Sequence, residues 1–240
     1  MDLKELESGV NPETHWYYQS KKIPLVAFVK KIFRQLGKPV MLVDVGSGSG
    51  FFMYELEKLI PEMISKIILV DIGYTEAEIL QTSGKRIEKT RELPARIENA
   101  VVVMMDVLEH LRDDAVMLKA IREKSVGENF FFITVPAFMS LWSGHDVYLG
   151  HYRRYTMPSL KSGLNKAAYT YENIYFIYGW IFPLVWLKRK LSPNLKEANS
   201  DMKLAPSLVN AVLRGICSAE MTVRKWNQIA GVTLVAEGKI

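Results

Sequence analysis

Cysteine is almost missing: Cys217 is the only thiol, so no intramolecular disulfide holds this chain together, and the residue reads as a small core side chain. Long uncharged apolar runs are scarce as well. The aromatic-rich run from Ile174 to Leu187 is shorter than the roughly 20 residues a bilayer span needs and is interrupted by Pro183, which excludes a spanning helix. There is no apolar leader, because Met1-Asp2-Leu3-Lys4-Glu5 is charged where a secretory signal needs a greasy core, so the expectation is a cytoplasmic chain. Repeats and low-complexity tracts are absent too. Acid is short in one region only: residues 150 to 240 carry 13 Lys/Arg against 5 Asp/Glu, whereas residues 1 to 149 carry 18 against 21. That basic third suits an acidic partner or is a solvated lysine-rich surface.

What is present is ample material for a core. With 240 residues, 49% of them hydrophobic, one sizeable domain with an appended lobe can bury itself, and a disordered or fibrous chain is excluded. Residues 1 to 38 read as an amphipathic helical lead-in, since Ile23, Val26, Phe28, Val29, Ile32, Phe33 and Leu36 recur near helical spacing before Gly37-Lys38-Pro39. Val40 to Val45 is an apolar run between a proline and a glycine cluster, as expected of a strand buried on both faces. A helical pattern over Phe51 to Ile60 stops at Pro61, and Lys66 to Asp71 is a second buried strand, giving one parallel βαβ unit. Weaker alternation over Arg86 to Leu93 marks a third strand, Val101 to Asp106 a clear fourth, Asp113 to about Lys124 a helix, and Asn129 to Pro136 a fifth strand. Gly231 to Gly238 is a last strand, paired antiparallel at the sheet edge. Alternating strands and helices imply a doubly wound α/β sheet.

Ligands of such sheets bind beyond the carboxyl ends of the strands. Three strand ends carry an acid, Asp44, Asp71 and Asp106, and the first runs straight into Gly46-Ser47-Gly48-Ser49-Gly50. Glycines there allow a tight turn and let a ligand lie on bare backbone. A dinucleotide site competes, because Asp71 suits a ribose in either case. The G-x-G-x-G spacing and the carboxylate of Asp44 separate the two: a pyrophosphate beside Asp44 would be repelled, whereas a ligand bringing a sulfonium and an ammonium would be attracted.

Residues 40 to 156 resemble the class I S-adenosylmethionine-dependent methyltransferases, in the broad group that includes ubiquinone-biosynthesis and polysaccharide-cluster enzymes. The likeness is carried by Val43-Asp44-Val45-Gly46-Ser47-Gly48-Ser49-Gly50, by Val70-Asp71, and by Met105-Asp106-Val107-Leu108-Glu109-His110-Leu111. It implies a Rossmann-like, mostly parallel seven-stranded sheet with an antiparallel last strand, S-adenosyl-L-methionine as cofactor, and methyl transfer to a small-molecule or lipid- or glycan-linked acceptor. It also implies that Asp71 binds the ribose with Ile72 beside the adenine, that the loop from Asp44 through Gly46, Ser47, Gly48 and Gly50 holds the methionine portion, and that Asp106, followed by Val107, borders the methyl. Glu92 to Asn99 departs from the family pattern and leaves the adenine amine unassigned. His15-Trp16-Tyr17-Tyr18 is similar to an aromatic element that folds over the cofactor, with Tyr17 the expected contact, or is an aromatic helix start packed in the core. The organisation expected is a lead-in over 1 to 38, a cofactor core over 39 to 156 and a substrate-side part with the last strand over 157 to 240.

Methyl transfer needs an acceptor atom in line with the methyl and, for some acceptors, a base. His110, four residues after Asp106, is such a base or a helix cap. The segment after the fifth strand is dense in polar and aromatic groups, so Trp142, His145, His151, Arg153 and Arg154 are the candidates for acceptor binding. The two arginines suit a phosphate or carboxylate, or pin the loop onto acidic residues. His145, Asp146 and His151 have no further ligand cluster in sequence, so no metal is expected and they are read as hydrogen-bonding groups. Aromatics beside Lys188-Arg189-Lys190 suit a membrane interface through residues 174 to 190, or are a strand and helix that close the pocket. No nucleic-acid module is recognisable. The alternative to an enzyme is a non-catalytic methyltransferase-like domain that binds a membrane or an acidic partner.

Overall fold

The computed structural model describes residues 9–191 and 206–240. Its first element is α1 (Trp16–Leu36), which His15 caps by accepting from the Tyr17 amide and which Gly37 ends in the left-handed conformation. The helix of the lead-in thus starts at Trp16, and residues 1 to 8 of that expectation lie outside the described residues. One stripe of α1 is buried, with Leu25, Phe28, Val29 and Ile32 at 2% exposure or less.

β1 (Val40–Val45), α2 (Phe51–Leu59) and β2 (Ile64–Val70) form the parallel unit expected from their apolar runs. After them come α3 (Glu76–Thr82), β3 (Ile87–Thr90), β4 (Ile97–Glu98), β5 (Ala100–Met105), α4 (Asp114–Lys124), β6 (Ser125–Val126) and β7 (Phe130–Pro136). The chain finishes with α5 (Gly144–Leu149), α6 (Met157–Lys166), β8 (Thr170–Ile177), α7 (Phe182–Leu191), α8 (Ser207–Val223) and β9 (Thr233–Lys239). Seven strands make one sheet in the order β3-β2-β1-β5-β7-β9-β8, while β4 and β6 pair separately. β9 runs antiparallel to both β7 and β8, so the sheet is parallel apart from the strand last in sequence.

Helices cover both faces. Side chains of α1, α2 and α8 pack with one face of β1, β2, β5 and β7, and Leu118 and Ile121 of α4 with Leu160 and Leu164 of α6 pack on the other. Strand order reverses between β1 and β5, which opens a crevice beyond their carboxyl ends, where the loops after β1, β2, β5 and β7 meet. Cys217 is on the buried face of α8, where burial pushes its thiol up to about 12.

Two expectations are revised. β9 is not the edge strand: it sits between β7 and β8, and six of its seven residues are buried because neighbours flank it on both sides. The run from 174 to 190 is not one surface. Ile174 to Tyr178 belong to the core, so only Trp180, Leu184, Trp186, Leu187 and Leu191, at 37% exposure or more, face outward beside Lys188 and Lys190. Among the described residues no helix is long and apolar enough to cross a membrane.

Candidate functional site

The glycine loop wraps over the end of β2. The amides of Gly46 and Ser47 both donate to the Val70 carbonyl, at 2.8 and 3.1 Å. Gly46 has φ +71°, and a Cβ there would stand 2.7 Å from Val107, so this turn admits no side chain. Asp71 ties the loop down by accepting from the amides of Gly48 and Gly73, each at 2.8 Å. Ser47 and Tyr74 share a hydroxyl contact of 2.8 Å. Ile72, beside Asp71, is 89% exposed, an apolar side chain free to carry a flat ring. Asp44 at the end of β1 is buried, and burial together with the Asp71 charge raises its carboxyl to about 7.

At the far side of the loop, Asp106 follows β5 in a left-handed conformation (φ +57°) that turns its carboxylate out of the strand line. Thr134 of β7 donates to it at 2.9 Å. Lys21 of α1, only 1% exposed, forms an ion pair with it and donates to the Tyr17 hydroxyl at 2.6 Å. Burial would raise the Asp106 carboxyl, but Lys21 and the Thr134 hydroxyl bring it below its ordinary value. Tyr17 also reaches Asp106, at 3.5 Å, and stacks on Tyr178 with ring centroids 5.4 Å apart. The aromatic start of α1 therefore packs on Tyr178 and lies against the Asp106 carboxylate. Lys21 was missed in sequence, although a signal existed: it falls on the buried stripe of α1, four residues before Leu25, where a solvated lysine has no place.

After β7 the chain folds back against β5. Asp146 of α5 accepts from the Ser143 amide at 2.9 Å, meets His151 Nδ1 at 2.9 Å and accepts from Arg154 Nε at 2.7 Å. Burial pushes its carboxyl up, but His151 and Arg154 outweigh that and hold it well below the carboxylate range. Arg154, buried, also donates to the Ala137 carbonyl at 3.2 Å. Arg153 donates to the Leu111 carbonyl at 3.0 Å and lies 3.7 Å from Asp114. Both guanidinium groups are thus engaged within the chain, Arg154 in its interior and Arg153 with a third of its side chain exposed. Trp142 and His145 are half-buried where α5 begins, and Arg189 of α7 donates to the Leu141 carbonyl, which closes α7 over the loop. His151, the last of the acceptor set, faces inward with its side chain 5% exposed, and the candidate base His110 lies edge-on to it with ring centroids 4.6 Å apart.

The absence of a ligand cluster does not hold. Glu109, His110 and His151 come together with ligand atoms all within 4.8 Å of one another, because the loop after β7 returns to the turn after β5 and the Tyr152 amide bonds the Glu109 carbonyl at 2.8 Å. His145 and Asp146, the neighbours in sequence, are outside this group. Burial and the Asp106 charge push the Glu109 carboxyl well above its ordinary value.

No family model matches the chain, and no curated protein does. Solved structures do. The chain is similar to the plantazolicin methyltransferase BpumL, at 14% identity and a TM-score of 0.56 over 92% of this chain and 84% of that one. It is similar to an S-adenosylmethionine-dependent methyltransferase of Archaeoglobus fulgidus, at 16% identity and 0.55 over 99% and 98%. A third likeness, 17% identity and 0.51 over 93% and 80%, is to the 1,6-didemethyltoxoflavin-N1-methyltransferase of Burkholderia thailandensis, solved with S-adenosylhomocysteine. What is shared at these identities is the fold, a Rossmann-like methyltransferase architecture along nearly the whole chain.

Proposed function

We propose that this chain is an S-adenosyl-L-methionine-dependent methyltransferase acting on a small or lipid-linked acceptor. The observation that carries the reading is Asp44 at the head of the glycine loop, buried with its carboxyl raised to about 7, whereas Asp106 on the far side is already paired with Lys21. A cation brought beside Asp44 would relieve that cost, which fits a sulfonium and an ammonium and opposes a pyrophosphate. Held there, the cofactor would supply an electrophilic methyl to the acceptor atom and leave as the neutral thioether, and a proton lost by the acceptor would pass to a base such as His110 or to solvent.

The residues have distinct tasks. Asp71 holds the ribose hydroxyls, at the expense of its present bonds to the loop amides. Ile72 bears on the adenine, and Gly46, Ser47, Gly48 and Gly50 let the methionine portion lie on backbone. Asp106 and Val107 border the methyl, with Tyr17 and Lys21 of α1 as the inner wall. His110 is the base nearest that wall. Trp142, His145 and His151 line the acceptor side, and Arg153 and Arg154 hold its loop in shape. In this reading residues 39 to 156 hold the cofactor and 157 to 240 shape the acceptor side, with Trp180 and the outward face of α7, through Trp186, Lys188 and Lys190, lying on an anionic lipid surface of the cytoplasm.

Incubation of the purified protein with methyl-labelled cofactor and a metabolite and lipid extract, followed by mass spectrometry, tests this. A product heavier by one methyl group is expected. Folded protein that binds the cofactor and transfers no label to any fraction would overturn the reading as an enzyme.

A further inference from the structure

We infer that Glu109, His110 and His151 form a binding site for a divalent transition metal of the zinc type. Three observations carry it. Their ligand atoms lie within 4.8 Å of one another. Both Glu109 carboxylate oxygens and His151 Nε2 are buried with no hydrogen-bond partner among the described residues, a costly arrangement unless something positive sits between them. And His151 is oriented from behind: its Nδ1 meets the Asp146 carboxylate at 2.9 Å, and since an ionised carboxylate only accepts, the ring proton is on Nδ1, which leaves the buried Nε2 lone pair for a ligand. Asp146 is itself fixed by Arg154 and the Ser143 amide. A carboxylate behind a histidine is the usual way proteins orient a ligating imidazole.

Two imidazoles and one carboxylate select zinc, cobalt or nickel over magnesium and calcium, which take oxygen donors. Tetrahedral zinc spaces its donors about 3.4 Å apart, so binding would draw together ligand atoms that already lie within 4.8 Å of one another. Three protein ligands leave one position open, as in sites that act on a bound molecule rather than hold a fold. Glu109 and His110 lie on the turn Leu108–His110 that follows Asp106 and Val107, so the metal would sit beside the residues proposed to border the methyl. A role there as anchor for an acceptor oxygen rests on the methyltransferase reading, and with the metal bound His110 is a ligand and no longer the base; the binding of the metal rests on neither.

Tag-free protein is stripped with a chelator and titrated with Co²⁺ and then Zn²⁺. One ion per chain is expected, with visible Co²⁺ bands of a four- or five-coordinate nitrogen–oxygen site that Zn²⁺ abolishes and Mg²⁺ does not. His110→Ala, on the half-buried side, and Glu109→Gln should each weaken Zn²⁺ by about tenfold or more, and Asp146→Asn by about 10–100-fold if it folds. Asp71→Ala should leave Zn²⁺ affinity unchanged. Folded wild-type protein that takes up no Co²⁺, or binding that His110→Ala and Glu109→Gln leave intact, overturns the site. Calorimetry of S-adenosylmethionine on the metal-free sample separates the two proposals: cofactor binding without metal uptake removes only the metal, and metal uptake without cofactor binding removes only the methyltransferase.

Discussion

Asp44 is where residue chemistry speaks most clearly. Its ordinary value is 3.8 and its folded value about 7, so between those limits the folded state holds a proton that the unfolded chain has lost. Stability contributed by the neutral acid is therefore full below about pH 4 and is lost as pH rises to 7. Asp44→Asn should remove this slope and melt higher than wild type at pH 8, read by thermal denaturation at pH 4, 6 and 8. The same substitution should weaken S-adenosylmethionine at pH 8, and wild-type affinity should fall below pH 7 as Asp44 takes up its proton. Equal melting temperatures at pH 8 would mean that Asp44 carries no burial cost. Lys21 answers in the opposite direction. Lys21→Ala leaves Asp106 without its ion pair, and because Asp106 keeps 34% exposure the cost should be about 2–3 kcal/mol rather than the larger loss of a dry pair, measured by urea unfolding. Asp44 was legible in sequence from its place before a glycine turn. Glu109 was legible only as part of a motif, since its isolation depends on His151 and Arg154 arriving from a distant loop.

Elements that are buried on both faces could be read directly. The strands β1, β2, β5 and β7 are short apolar runs with turn residues at their ends, and no other structure buries them so completely. β3 was the faint one because all four of its residues are only half-buried at the sheet edge. The position of β9 was not readable, since an antiparallel strand can pair at an edge or slip between two others with the same alternation. Contacts between elements were hidden too. The start of α1 is fastened to α8 by Asn210, which accepts from the Trp16 amide and donates to the Thr14 carbonyl, both at 2.9 Å. Asn210→Ala should loosen that end by about 1–2 kcal/mol, with faster amide exchange over residues 14 to 18 and weaker cofactor binding, because Tyr17 and Lys21 are carried on that helix. Unchanged exchange there would mean that the helix start is held by its rings alone.

The molecule as a whole is lopsided in charge and in surface. The basic excess after residue 149 and the outward apolar residues of α7 fall in the same third of the chain. Anionic vesicles containing phosphatidylserine should therefore float the protein at low salt and release it as the Debye length shrinks toward about 8 Å at physiological ionic strength. Trp186→Ser with Lys190→Glu should abolish flotation and leave the fold intact, because both side chains lie on the surface. Binding to neutral vesicles alone would speak against the charge. Beneath that surface, Asp44 and Asp71 lie at one glycine turn, the place proposed to receive a cationic nucleoside. Titration calorimetry of wild type and Asp71→Ala with S-adenosylmethionine at pH 8 measures this most directly. One mole bound per chain, weakened about 10–100-fold by the substitution as charge-assisted ribose bonds are lost, is the expected result. Folded wild-type protein with no binding, or equal affinity for both proteins, would contradict it.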